Sequence, residues 1–299
     1  MKWRIKNPAP QDSRLEKWGD FHFGRSLTKY LTRLGQEVAT DYDGDWDTYE
    51  GEDVELVLRG KYRHKVKKGL INVMWNISHP ADVPMVEYND YDLVCVASEA
   101  YASQLAGQLT AKVIPLLQCT DLEEFNNEFA LSAHEREGFI FVGNTRSVER
   151  PGVLWSIEKG VPLKIWGRGW SEFIPNGYVV ENYIDNQQLG KLYGKSRVVL
   201  NDHWSDMKKF GFINNRIFDA IACGLPVISD SHDELQKLFP TELLYYHDKH
   251  TLKKCLEEVL LNYPRVVQNI NSARHRLMDN FSFQSRAEVL VEEITKLRG

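Results

Sequence analysis

The sequence predicts an α/β chain built as two doubly wound halves, and three observations carry that reading. Short apolar strand candidates alternate with amphipathic helix candidates from the start of the chain. The alternation lapses in the acidic, polar stretch after Pro115 and restarts at Gly138. A length of 299 residues suits about two domains.

The first half opens on "KWRIKN", a short strand, and a loop to about Trp18. In "WGDFHFGRSLTKYLTRLGQEV", Leu27, Tyr30, Leu31 and Leu34 recur at helical spacing, and Gly35 fits the helix end. "QEVAT", "DVELVLRG", "GLINVMWNIS" and "YDLVCVAS" read as strands, and "EAYASQLAGQL" as a helix. The interdomain connection is placed inside "VIPLLQCTDLEEFNNEFALSAHEREG". The second half begins with the strand "GFIFVGNT" and the helix "ERPGVLWSIEKG", with Pro151 near its start. "VPLKIWGRG", "RVVLND", "LPVISD" and "ELLYYH" are further strands. "NQQLGKLYGKS" and "INNRIFDAIACG" are helices, as is the segment marked by Leu252, Cys255, Leu256, Val259 and Leu260. A last helix carries Ala287, Leu290, Val291, Ile294 and Leu297 on one stripe. The expected domains are residues 1–118 and 138–283, with a C-terminal helix, 284–299, folding back on the first. No short repeat, low-complexity segment or long charge run stands out.

A 42% hydrophobic share is enough for substantial cores. Net charge is -5, which argues against a nucleic-acid partner, although a local basic pocket for a phosphate is compatible with it. Cys95, Cys119, Cys223 and Cys255 are far apart, and Cys95 and Cys223 sit in apolar runs as buried thiols. Their pattern suggests a reducing, cytoplasmic compartment. "MKWRIKNPAP" lacks the apolar stretch of a signal peptide, and no apolar run approaches the ~20 residues that span a bilayer. That leaves room for a peripheral membrane contact.

In an open parallel sheet, ligands bind beyond the carboxyl ends of the strands. Gly19 and Asp20 precede a helix there; Ser78 and His79 end one strand. Gly143, Asn144 and Arg146 end another, Gly167 a third, and Asn201 with Asp202 a fourth. Taken singly, each has a plainer reading: turn glycines, solvated charges at Arg146 and Arg150, a core histidine at His22 between two Phe residues. The joint pattern carries the argument. In "FGFINNRIFDAIACGLPVISD", a helix over Asn215–Ala222 places Asn215 and Arg216 in its first turn and Asp219 one turn on. A helix start offers free N–H groups to a phosphate, Arg216 adds a planar donor fork, and Asp219 suits a ribose diol. The plainer alternative is an amphipathic helix with an internal Arg–Asp pair.

"FDAIACGLPVIS" resembles the donor-site segment of GT-B glycosyltransferases. "FVGNTRSVERPGVLWSIEKG", "LKIWGRGW" and "LGKLYGKSRVVLND" fall in the order of that group's C-terminal domain. "GFINNRIFDA" and "FSFQSRAEVLVEEI" are most similar to the subgroup resembling spore-maturation glycosyltransferases, and "WGDFHFGRSLTKYLTRLGQEV" resembles the group's opening glycine loop and helix. The resemblance implies two Rossmann-like domains facing each other across a cleft. A nucleotide-sugar would be held mainly by the second, and a saccharide or lipid-linked acceptor mainly by the first. It puts Arg146 in the phosphate loop, Asp219 at the ribose, Asn215 and Arg216 beside it, and Tyr183 and Ile184 near the base. One departure is plain: where many retaining members carry Glu, seven residues and a second Glu, this chain has Gly211 and then Asp219.

Transfer requires a stabilised diphosphate and an activated acceptor hydroxyl. Arg146 and the Arg216 segment can supply the first without a cofactor or metal. Asp20 and His22 are the candidate bases, with Asp20 ahead on position, and His79 is a candidate sugar contact. A competing metal-dependent reading starts from "DYDGDWD", whose carboxylates read better as a solvated loop. A GT-B sugar-nucleotide epimerase, or a catalytically silent module that binds nucleotide-sugar, would share the same donor site.

Overall fold

The computed structural model describes residues 1–46 and 51–299. Two compact units emerge. Unit 1 comprises Met1–Cys119, Trp204–Asn214 and Phe281–Gly299; unit 2 comprises Thr120–His203 and Asn215–Asn280. Each is built on one six-stranded, wholly parallel sheet.

Unit 1 runs β1 (Lys2–Pro10), α1 (Gly19–Arg33), β2 (Glu37–Asp43), β3 (Val54–Arg59), β4 (Ile71–Asn76), α2 (Met85–Tyr88), β5 (Leu93–Val96), α3 (Glu99–Ala106) and β6 (Lys112–Pro115). The strand order is β2-β1-β3-β4-β5-β6. Alternation along β1 gives the sheet two different faces. Trp3 and Ile5 join Phe23, Leu27 and Leu31 of α1, with Leu56, Leu58 and Trp75, in one core. Arg4 and Lys6 point to the other face. There Lys6, fully buried, lies 2.9 Å from both Asp41 and Glu55, while Arg4 pairs with Asp41 at 3.0 Å. Asp41 of "DYDGDWD" is thus a buried ion-pair partner and not part of a solvated loop; Asp47 lies outside the described residues.

Unit 2 runs β7 (Glu137–Val142), α4 (Pro151–Glu158), β8 (Leu163–Trp166), β9 (Val179–Glu181), α5 (Asn186–Lys195) and β10 (Ser196–Asn201). After α6 (Ser205–Lys209), which clusters with unit 1, come α7 (Asn215–Ala222), β11 (Val227–Asp230), α8 (Asp233–Leu238), β12 (Leu244–Tyr246), α9 (Lys249–Leu261) and α10 (Tyr263–Asn280). The order β12-β11-β10-β7-β8-β9 reverses between β7 and β10. That reversal opens a crevice at the carboxyl edge, where doubly wound sheets bind ligands.

Two segments of unit 1 come from far along the chain. Helix α11 (Phe283–Arg298) buries Phe283, Ala287, Leu290 and Ile294 in the core beneath α1, whereas Leu297 is exposed. The 204–214 segment buries Met207 and Phe212 against Val57, Met74 and Val94 on the other face. Ser98 Oγ donates to the Phe210 carbonyl at 2.7 Å and fixes that segment to the start of α3. All four cysteines are buried free thiols.

Candidate functional site

The carboxyl edge of the second sheet gathers the predicted donor-binding residues. The loop after β7 holds Gly143, Asn144 and Arg146; Gly167 follows β8; Tyr183 and Ile184 follow β9. Arg146 and Ser147 are consecutive left-handed residues, with φ of 61° and 57°, so the loop turns sharply before α4. Two glycines are required by close approach. A Cβ on Gly167 would lie 2.1 Å from the Gly143 carbonyl oxygen, and one on Gly143 would lie 3.0 Å from Arg216 Nη2.

Arg216 is a buried, anchored cation of this edge. Its Nη1 donates to Asn201 Oδ1 at 2.9 Å, and its guanidinium lies over the Phe141 ring at 5.3 Å. Asn201 is itself fixed, because its Nδ2 donates to Ser229 Oγ at 3.0 Å and its carbonyl accepts from the Tyr246 hydroxyl at 3.3 Å. Burial lowers the Arg216 pKa from its ordinary value, against the pull of Tyr193. The guanidinium is desolvated, and its side-chain partners, the Asn201 amide and the Tyr193 hydroxyl, are both neutral, which leaves electrostatic capacity for an anion.

Arg150 behaves differently. It is buried, bonds Asp202 through Nε at 2.5 Å and through Nη2, and donates from Nη1 to the Asn144 carbonyl at 2.7 Å. The solvated charge expected there is a structural pin that shapes the loop after β7. Asp219 also departs from a free ligand group. Thr120 Oγ1 donates to its Oδ1 at 2.7 Å and Asn215 Nδ2 to its Oδ2 at 3.2 Å. Burial pushes its carboxyl up to about 8, so it is mostly protonated at neutral pH and has one O–H to give.

The sequence did not single out His203, Asp230 or Phe141. His203 Nδ1 lies 2.7 Å from Asp230 Oδ1, and the His203 backbone N–H donates to Asp230 Oδ2 at 3.2 Å. Ser229 Oγ donates to the same carboxylate at 3.3 Å. A hydrogen-bonded chain therefore runs from His203 through Asp230, Ser229 and Asn201 to Arg216. The available signal was the polar ending shared by "RVVLND" and "LPVISD", two strands that are neighbours in the sheet.

The three catalytic candidates lie in unit 1. Asp20 is the second residue of α1, and its carbonyl accepts from Asn7 Nδ2 at 2.7 Å, tying the helix start to β1. Burial pushes the Asp20 carboxyl up to about 6. His22 Nε2 donates to the Glu16 carbonyl at 2.7 Å, and its ring meets Phe21 edge-on. His79 follows β4 in the left-handed region at φ 50°, its Nδ1 2.9 Å from Ser78 Oγ and its ring 5.6 Å from that of Trp204. Among the described residues, no group of three or more His, Cys, Asp or Glu side chains could hold a metal ion, and no helix is long and apolar enough to cross a membrane.

Comparison with solved structures decides the architecture. Sucrose-phosphate synthase from Thermosynechococcus elongatus superposes with a TM-score of 0.70 at 14% identity, covering 99% of this chain and 98% of that one. The fold is GT-B. A second GT-B structure, a glycosyltransferase involved in avilamycin A biosynthesis, gives 0.65 at 16% identity over 99% and 97% of the two chains. Anabaena HepE in complex with UDP and glucose gives 0.64 at 10% identity over 99% and 100%. Residues 151–292 match the family model described as glycosyl transferase-like, which takes in the GT-B unit 2 from α4 onward and most of α11. No curated protein matches the sequence.

Proposed function

We propose that the protein is a glycosyltransferase that moves a sugar from a nucleotide-sugar to a saccharide or lipid-linked acceptor in surface-glycan synthesis, within the spore-maturation-like subgroup. The observation that carries the reading is Arg216, desolvated and anchored to Asn201 beside the β7–β10 reversal, in a unit matching the glycosyl transferase-like family. The UDP bound by Anabaena HepE supports a nucleoside diphosphate as the ligand class.

In this reading the diphosphate lies against Arg216, the Arg146 loop and the N–H groups at the start of α7. Asp219, protonated and held by Thr120, offers its O–H to the ribose or the phosphate. Asp20, with its carboxyl near 6, is ionised at neutral pH and takes the acceptor hydroxyl proton. The acceptor oxygen bonds to the anomeric carbon as that carbon's bond to the phosphate oxygen breaks. The nucleoside diphosphate leaves with the electron pair, its charge balanced by arginines without a divalent cation. His22 is placed second because its Nε2–H is held by the Glu16 carbonyl and its Nδ1, the nitrogen that would act as the base, is buried. His79 serves the acceptor side.

The test is a nucleotide-sugar panel with and without candidate glycan acceptors, read by release of nucleoside diphosphate and by product mass. Acceptor-dependent release is expected. Interconversion of the free donors would identify an epimerase, and binding without turnover a silent module.

A further inference from the structure

The connection from β3 to β4 carries a surface that the transfer reaction does not use. Two parallel neighbours are normally joined by a crossover helix. Here β3 and β4 pair in parallel, yet the return over residues 60–70 has no helix. Residues 61–68, "KYRHKVKK", contain four lysines, an arginine and no acid, in a chain whose net charge is -5.

Part of that charge is spent inward. His64 Nε2 lies 2.9 Å from Glu55, and Lys67 lies 3.3 Å from Glu52. Arg63 pairs with Asp90 at 3.1 Å and lies 3.8 Å from the buried Glu87. These bonds hold the crossover onto the sheet. Lys61, Lys65 and Lys68 are all exposed, and none has an ion-pair partner among the described residues. Tyr62 stands between the first cations, 40% exposed. An open groove of about 560 Å³, lined by Arg63, Lys65, Val66 and Asp90, runs beside them.

We propose that this crossover docks unit 1 on an anionic lipid surface. The uncommitted cations are ammonium groups on flexible stems, which respond to the diffuse negative potential of a leaflet without demanding a fixed geometry. The one guanidinium that could fork onto a nucleic-acid phosphate is already held by Asp90. An exposed tyrosine among lysines, apolar in body and polar at its tip, suits the water–lipid boundary. Three lysines give reversible, salt-sensitive attachment and not insertion. The proposal is independent of the transfer reading, since the docking can be measured on a chain that moves no sugar.

The experiment is co-sedimentation of the full chain with phosphatidylcholine vesicles, pure or carrying about 30 mol% phosphatidylglycerol, a content that makes the surface strongly negative. Binding is expected to the anionic vesicles alone and to weaken as salt rises. The variant Lys61→Gln/Lys65→Gln/Lys68→Gln should lose roughly 100-fold in partition coefficient. A control with the same change in net charge, Lys159→Gln/Lys253→Gln/Lys254→Gln in unit 2, should bind like the wild type. Equal binding by the crossover variant, equal weakening of the control, or no preference for anionic vesicles would each overturn the proposal. Tighter retention by duplex DNA than by the vesicles would also overturn it, in favour of a polyanion site.

Discussion

Arg216 Nη1 donates to Asn201 Oδ1 at 2.9 Å, although the two residues lie on different elements, the start of α7 and the end of β10. The bond aims the guanidinium along the carboxyl edge of the sheet. Asn201→Ala should leave the fold intact and free Arg216 to swing. Losing a charge-assisted hydrogen bond typically costs ~1.5–3 kcal/mol, so nucleoside-diphosphate affinity should fall about 10- to 100-fold by calorimetry. Arg216→Lys should not rescue binding, because an ammonium cannot satisfy Asn201 and a phosphate in the same plane. Unchanged affinity in both variants would take Arg216 out of the site.

Asp219 makes a prediction about stability. Its folded carboxyl titrates at about 8, raised by burial from an ordinary value of 3.8. Between those values the folded chain keeps a proton that the unfolded chain releases. Stability should therefore fall as pH rises through that window and level off above it. Asp219→Asn cannot ionise and escapes this loss. The variant should gain on the wild type by on the order of 1 kcal/mol per pH unit across the window, measured by urea unfolding. Parallel curves for the two proteins would show that Asp219 is ionised in the fold.

Asp20 predicts the pH profile of turnover. A base must be ionised to act, so the rate should rise with pH through about 6 and then flatten. Asp20→Asn should lower turnover by ~10²–10⁴-fold and leave donor affinity unchanged. Normal turnover in Asp20→Asn would move the base elsewhere.

Chelation addresses the leaving group. With arginines supplying the positive charge, transfer should persist after exhaustive treatment with a chelator. Complete loss, restored by manganese or magnesium, would mean that a cation carries that charge.

Lys6 predicts the largest loss of stability. It is fully buried between Asp41 and Glu55. Burial pushes the Glu55 carboxyl up, but the bonds from His64 and Lys6 outweigh it and hold the group below its ordinary value. Lys6→Met would leave two buried carboxylates short of a partner and cost ~3–5 kcal/mol. Denaturant midpoints measure it, and a near-neutral outcome would mean that water reaches the pair.

Much of this architecture could be read locally, because strand and helix periods are local. The α7 segment announced itself by Asn215 and Arg216 ahead of a small-residue helix end. The strand β9 has three residues, too few for a period, and α10 carries polar side chains along most of its length. Arg150 resembled a loop charge because its partner, Asp202, is 52 residues away. Asp41 read as a solvated carboxylate for a similar reason: its pairing with Lys6 follows from the register of β1 on β2, which no window of sequence contains. The change of unit at Trp204 was equally hidden, since Met207 and Phe212 would suit the interior of either half.

The three-part origin of unit 1 bears on how the gene can be rearranged. Residues up to Cys119 encode its whole sheet, but the residues that finish both of its cores are encoded far downstream, at residues 204–214 and from Phe281 on. A truncation after Cys119 would leave apolar surface bare on both sides of that sheet, and the product should aggregate. Recombination at that point would likewise fail to transplant a working module. A viable chimera must exchange the opening segment together with residues 204–214 and the tail from Phe281, so these distant stretches are bound to change as one unit of inheritance.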